Sequence, residues 1–210
     1  MKRIVSLLIA LYCINFSYAQ RCNIGDPCIA DSLVSNKNIG GLIDHSIIYD
    51  PSYVRIKYPG GDVPADRGVC TDVIIRAYRK VGIDLQKDVH EDMSANFDLY
   101  PKRYGLKAPD TNIDHRRVAN LMTFFSRHGV VLPITDKPED YNPGDIVCWD
   151  LGGGILHIGL ITKFVNSDFP EFLNYRYVVI HNIGYGQVLE SCLFRWKIIG
   201  HYRYYGIKKE

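Results

Sequence analysis

Apolar positions recur at helical spacing from Cys70 onward, at Val73, Ile74, Ala77, Tyr78 and Val81, while Asp72, Arg76, Arg79 and Lys80 occupy the other face. The spacing predicts an amphipathic helix that begins at Cys70 and stops at Gly82. A second helix is predicted with Asn112-Ile113-Asp114 as its cap region, Val118, Leu121, Met122 and Phe125 facing inward, and Gly129 as its stop. Arg116 and Arg117 then fall in its first turns. Residues 84–111, between the two helices, read mostly as loop. Upstream, residues 22–45 read as a short helix leading into irregular structure. Tyr49 to Tyr58 alternates apolar and polar over its second half, a strand pattern closed by the turn Pro59-Gly60-Gly61-Asp62.

After Pro143-Gly144 the pattern changes to short strands, predicted at Asp145 to Asp150, Leu156 to Phe164, Arg176 to Asn182 and Lys197 to Tyr204. They are separated by Gly152-Gly153-Gly154, Asn166-Ser167-Asp168 and Gly184-Tyr185-Gly186, which suits an antiparallel meander. Helices first and strands second imply an α+β fold, with helices packed on an antiparallel β-sheet and the sheet against the Cys70 helix.

The first nineteen residues are patterned differently. Met1-Lys2-Arg3 is followed by an apolar run from Ile4 to about Phe16 and then by Ser17-Tyr18-Ala19. This is the pattern of a secretory signal peptide cleaved after Ala19, which makes the chain exported, periplasmic or secreted, with no membrane insertion after cleavage. Residues 20–210 remain, a length suited to one domain, and a monomer is expected. A formal net charge of +2, from 25 basic and 23 acidic side chains, gives no broad basic field and argues against nucleic acid as a partner. Removing Cys13 with the signal leaves Cys22, Cys28, Cys70, Cys148 and Cys192. An odd number in an oxidising compartment leaves one thiol free. If that thiol is Cys70, the other four can pair in three ways, and Cys22 with Cys28 closes the shortest loop.

Cys70 is a candidate nucleophile because the N–H groups and dipole of a helix start favour a thiolate. Its base should come from a rigid neighbouring strand, and His157 is the candidate, in the otherwise apolar stretch Leu156-His157-Ile158-Gly159-Leu160-Ile161. Alternation puts His157 on the face shared with Gly159 and Ile161. A polar side chain in such company must be hydrogen-bonded or functional. The next strand ends in His181-Asn182, and either residue is able to orient the imidazole of His157.

The order of cysteine, histidine and polar residue resembles the NlpC/P60 branch of papain-like cysteine peptidases. Tyr141-Asn142-Pro143-Gly144-Asp145-Ile146-Val147 resembles that family's turn into its first core strand, Leu156 to Ile161 the strand carrying its base, and Val179-Ile180-His181 the segment carrying its third residue. More closely, Asp66-Arg67-Gly68-Val69-Cys70-Thr71-Asp72-Val73, His90-Glu91-Asp92-Met93, Asn112-Ile113-Asp114-His115-Arg116-Arg117 and Gly200-His201-Tyr202-Arg203-Tyr204 resemble the bacterial DUF1287 family, over nearly the whole mature chain. The resemblance implies a papain-like NlpC/P60 fold, Cys70, His157 and His181 as the catalytic set, and hydrolysis of an amide in peptidoglycan stem peptides without metal or organic cofactor. The flanks depart from it. NlpC/P60 proteins carry Asp-Cys-Ser-Gly around the nucleophile, whereas this chain has Val69-Cys70-Thr71-Asp72, which leaves the substrate open.

Arg67, Asp92, Arg116, Arg117 and Asp150 are the charged residues expected to line a cleft for a charged peptide. Arg116 and Arg117 have an alternative role on a solvated helix surface, and Asp150 has one as a turn cap. Two other functional classes are compatible with the same residues. Cys70, His157 and His181 are all possible zinc ligands, although the chain contains no close metal-binding pair. An exported binding module that recognises cell-wall peptide or a partner without turnover is the other, and 15 tyrosines suit such a surface.

Overall fold

The computed structural model describes residues 22–163 and 178–208. Two short helices, α1 (Cys28–Leu33) and α2 (Asn36–Gly40), lead into a two-residue strand β1 (Ile48–Tyr49), which runs parallel to β2 (Arg67–Gly68). Helix α3 (Cys70–Lys80) follows directly. Its apolar positions Val73, Ile74, Ala77 and Tyr78 are core residues, and side chains the size of Val73 and Ile74 each contribute on the order of 2 kcal/mol through burial of their apolar surface. Thr71, Asp72 and Ile75 are buried as well, so the first two turns are enclosed on every side. The polar face predicted from Asp72 onward begins only at Arg76.

Residues 84–111 are not mostly loop. Helix α4 (Leu85–Ala95) lies there, with Asp84 accepting the Gln86 amide at its start and Leu85, Val89 and Met93 buried at four-residue spacing. This apolar stripe is narrow and interrupted by Gln86, Asp88 and Asp92, so no wide face marks the helix in the sequence. Helix α5 (Val118–His128) starts later than its expected cap. The Asp114 carboxylate turns inward to accept the Asp110 amide, and Asp114–Arg116 forms a 3-10 turn instead. The alternating segment before Pro59 forms no strand beyond Tyr49. Val54 and Ile56 are half-buried, but the Ile56 amide goes to the Asn112 side chain and the Tyr53 hydroxyl to Asp110, so side chains rather than a neighbouring strand hold this stretch.

The second half forms a six-stranded antiparallel sheet in the order β3-β8-β4-β5-β6-β7, made of β3 (Val130–Val131), β4 (Ile146–Asp150), β5 (Leu156–Thr162), β6 (Val178–His181), β7 (Val188–Glu190) and β8 (Lys197–Arg203). Strands β4, β5 and β6 follow the expected meander, but the strand that continues it is β7, which was not expected, and β8, expected as its last strand, returns beside β4. Phe164, Arg176 and Tyr177, expected in strands, and the Asn166 turn lie outside the described residues, as does the segment expected to be a signal peptide. No helix among the described residues is long and apolar enough to cross a membrane.

One sheet face, with Ile146, Cys148, Ile158, Leu160 and Ile180, packs on α3, α4 and α5. The other face, with Val147, Trp149, Ile161 and Val179, packs on Tyr141, Cys192 and Leu193. This explains the thiols. Cys22 and Cys28 are bonded, but Cys148 and Cys192 belong to the two different cores and cannot meet. Three cysteines are therefore free instead of the single one that parity led us to expect.

The turn into β4 is fixed by Asp145. Its fully buried carboxylate accepts from the Asn142 amide at 2.7 Å, from His201 Nε2 at 3.0 Å and from Arg203 Nε at 2.6 Å, tying β4 to β8. Asp145→Ala would leave the buried Nε2 of His201 and the half-buried Arg203 guanidinium without their partner. It is expected to lower the urea-unfolding free energy by about 3–5 kcal/mol, and a loss below about 1 kcal/mol would contradict this role.

Candidate active site

Cys70 is the first residue of α3, after an extended Val69 whose amide is taken by the Asp72 carboxylate at 2.7 Å. It lines a 150 Å³ cleft together with Tyr49, Pro51, Val69, Tyr104, Ile113, Arg116, Arg117, Val118 and Leu156. The amides of Ile158, Thr71 and Cys70 itself face the sulfur, and so does the Tyr49 hydroxyl. Tyr49 reaches this position because β1 pairs Tyr49 with Gly68, two residues before the cysteine.

The amide of Ile158 is available because β5 and β6 separate there. Their last pair is Leu160 with Ile180, and Leu156 to Gly159 extend past it. His157 lies in this part of β5, which is paired with β4 alone, on the opposite sheet face from Ile158. Its ring is buried and its Nε2 is 2.8 Å from His181 Nδ1. Trp149 and Trp196 border it, at ring separations of 5.7 and 5.9 Å. Gly159 makes room for this packing, since a Cβ there would come within 2.5 Å of Val179 and 3.2 Å of the Trp149 ring. His181 Nε2 in turn meets Glu190 Oε2 at 3.0 Å, with Cys192 Sγ at 3.7 Å. Asn182 faces away, donating to the Gly68 carbonyl at 3.4 Å, so His181 is the residue whose ring touches His157.

Cys70 and His157 are brought to the same peptide, the thiol against the amide that follows the histidine. Among the described residues no hydrogen bond joins the thiol to the His157 ring. The expectation of a readily ionised thiol is overturned. Burial pushes Cys70 up to about 12, outweighing the amides of the helix start that favour the thiolate. Burial likewise takes His157 down to about 3 and lowers His181 despite the Glu190 carboxylate. The resting pair is thus a neutral thiol beside a neutral imidazole.

The charged residues expected in the cleft divide. Arg116 and Arg117 line it. Arg116 is not free for a ligand, because its guanidinium is buried against Asp72, with contacts of 2.9 and 3.0 Å. Arg117 stacks over Tyr104 at 4.4 Å, and its buried Nε has no partner. Asp92 belongs elsewhere, in a cluster with Arg127, Tyr100 and His128 that holds its carboxyl below the ordinary range against the opposing effect of burial. Arg67 is paired with Asp50 and Asp66 outside the cleft lining, and Asp150 accepts the Gly152 amide as a turn cap. Of the possible metal ligands, those that converge among the described residues are His181, Glu190 and Cys192, whose ligand atoms lie within 4.8 Å of one another, rather than Cys70, His157 and His181.

Sequence reasoning passed over Tyr49 and Glu190. The hairpin glycines Gly184 and Gly186 hold the signal for Glu190, since they set a register in which Glu190 shares the sheet face of His181. Tyr49 left no comparable signal, because its placement depends on a two-residue parallel pairing.

A helix-start cysteine packed on an antiparallel sheet, with a histidine on the adjoining strand, defines an α+β protein. The chain belongs to the DUF1287 family, described as a domain of unknown function, whose model matches residues 38–204. It is 52% identical over 164 residues to "Uncharacterized protein YijF" of Escherichia coli (strain K12), covering 78% of this chain and 77% of that one. Among solved structures, NlpC1 and NlpC2 from Trichomonas vaginalis align over 85% of this chain, at 14% and 12% identity and TM-scores of 0.42 and 0.43. The chain spans 45% and 47% of their lengths.

The buried neutral imidazoles carry a consequence for stability. His157 and His115 are both depressed to about 3 in the folded protein. Below the ordinary imidazole value of about 6.5 the unfolded chain takes up protons that the folded chain refuses. Stability is therefore full above that value and is lost as the pH falls toward 3. Urea unfolding at about pH 7 and pH 4.5 should show this loss, and His157→Gln should shrink it. Equal stability at both pH values would contradict the burial of neutral rings.

Proposed function

We propose that the protein is an exported cysteine hydrolase that cleaves an amide bond, with peptidoglycan stem peptides as its substrate class. One observation carries this reading: Cys70, at a helix start, lines a cleft, and its thiol lies against the amide that follows a histidine whose ring is held by a second histidine. Export is supported by the N-terminal pattern of the chain and by the Cys22–Cys28 disulfide, which suits an oxidising compartment.

The chemistry follows from the neutral resting pair. Cys70 Sγ attacks the amide carbon as its proton passes to His157, which then delivers that proton to the leaving nitrogen. The N–H groups of Cys70, Thr71 and Ile158 and the Tyr49 hydroxyl stand beside the sulfur and are the donors available to the developing oxyanion. Water, activated by the same imidazole, releases the thioester. On the cleft wall the unpartnered Nε of Arg117 suits a carboxylate, which stem peptides carry.

A second reading, a binding module without turnover, is favoured by the burial that holds the thiol protonated. Incubating muropeptides with the wild type and with Cys70→Ala, followed by mass spectrometry, separates the two. Cleavage by the wild type that falls by about a thousandfold or more in the variant is the expected result. Equal product from both proteins would remove Cys70 from the mechanism, and retention of peptide without product would favour the module. Arg117→Met is expected to raise KM for these peptides about tenfold with little change in kcat, by loss of a charge-assisted contact. An unchanged KM would take Arg117 out of substrate recognition.

A further inference from the structure

Strands β6 and β7 pair with Val179 opposite Glu190 and His181 opposite Val188, so these four residues share the sheet face of His157. Three titratable side chains form a line there: His157 Nε2 to His181 Nδ1 at 2.8 Å, and His181 Nε2 to Glu190 Oε2 at 3.0 Å. The other Glu190 oxygen is paired with Arg195. Cys192 Sγ also approaches His181 Nε2, but at 3.7 Å and as a weak hydrogen-bonding group.

The end of this line fixes the protons along it. A carboxylate can only accept, so His181 Nε2 must carry hydrogen and donate. A neutral imidazole has one N–H, so His181 Nδ1 is then an acceptor, and the proton between the rings belongs to His157 Nε2. His157 Nδ1 is left as a bare lone pair. It is the ring nitrogen nearer its own main chain, and the Cys70 thiol lies against that main chain at the Ile158 amide.

We propose that Glu190 is a positioning residue: through His181 it sets the tautomer of His157, so that Nδ1 is the nitrogen able to receive the Cys70 proton. Only the use of that nitrogen rests on the hydrolase reading; the order of protons is a property of the free protein. In the reaction the Sγ–H bond breaks, its electron pair forms the Sγ–C bond, and the proton joins His157 Nδ1. His157 Nε2 keeps its hydrogen and donates it to His181, whose own N–H remains on Glu190. The proton at Nδ1 then passes to the leaving amine. Burial supports the scheme by keeping both rings neutral, and thus tautomeric, near neutral pH.

Long-range proton–nitrogen correlation spectra of uniformly 15N-labelled protein read the tautomers without any substrate. The wild type should show hydrogen on Nε2 of both His157 and His181. Glu190→Gln places an amide able to donate where the carboxylate accepted. It should move hydrogen to Nδ1 on both rings and lower kcat on a muropeptide digest by about a hundredfold at unchanged KM, as wrong-tautomer substitutions do elsewhere. Glu190→Asp should restore the wild-type spectrum and most of the turnover, and Arg195→Met should leave the tautomers as they are. A wild-type His157 with hydrogen on Nδ1, the pattern a metal on His181 Nε2 would also impose, overturns the proposal. So does a folded Glu190→Gln with wild-type spectra. If the tautomers respond as stated while the wild type cleaves no muropeptide, the ordering by Glu190 holds and the hydrolase reading fails.

Discussion

The cleft depends on one buried ion pair, Asp72 with Arg116. Both side chains are almost wholly withdrawn from water, and both carboxylate oxygens are used. Asp72 also accepts the Val69 amide, fixing the turn that delivers Cys70 into α3. Thr71 donates to the Arg116 carbonyl, and the Arg116 guanidinium reaches the carbonyls of Ser52 and Asp50. Three chain segments are thereby tied at one point: the cysteine-bearing helix start, the stretch that carries Tyr49, and the 113–118 wall. Removing either partner would leave a bare buried charge, which costs about 3–5 kcal/mol. The unusual flank of Cys70 is explained here, since Thr71 and Asp72 are the residues that hold Arg116.

This pair also fixes the electrostatics of the cysteine. A helix start favours a thiolate through its free N–H groups, yet closing three segments over the thiol removes the water that a thiolate needs. With Cys70 at about 12 and His157 at about 3, forming the ion pair from the neutral pair would be strongly uphill. Under the proposed hydrolase function this means a proton that moves during attack rather than before it, so that the direction in which the imidazole presents its lone pair would count for more than a standing negative charge.

The legible parts of the fold were those whose local pattern agrees with their packing. Helix α3 and strands β4, β5 and β8 have near-continuous or strictly periodic apolar positions, and they stand close to where the pattern puts them. Helix α4 was hidden because its stripe of Leu85, Val89 and Met93 is one residue wide and the polar residues Gln86 and Asp92 are also buried. The stretch after Tyr49 has strand-like alternation but no neighbour to pair with, and alternation says nothing about partners. In the site, Cys70, His157 and His181 could be picked out by residue type and order. Arg116 and Asp92 could not be separated from surface charges, because a buried ion pair and a solvated one have the same sequence signature, and only the position of the partner, Asp72 for one and Arg127 for the other, distinguishes them.

The two cores of the sheet set how the thiol and the imidazole can meet. Cys70 approaches from the α3 face, whereas His157, His181 and Glu190 belong to the face of Trp149 and Cys192. A closed sheet would separate them by the thickness of the backbone. The separation of β5 from β6 after Leu160 and Ile180 opens that barrier where the Ile158 amide and His157 stand side by side. Gly159 belongs to this opening: it is the β5 residue level with His181 in register, and any side chain there would push Val179 and the Trp149 ring away from His157. This end of β5, paired with β4 but left without a β6 partner, is thus where the thiol delivered from one face of the sheet meets the peptide that carries His157 on the other.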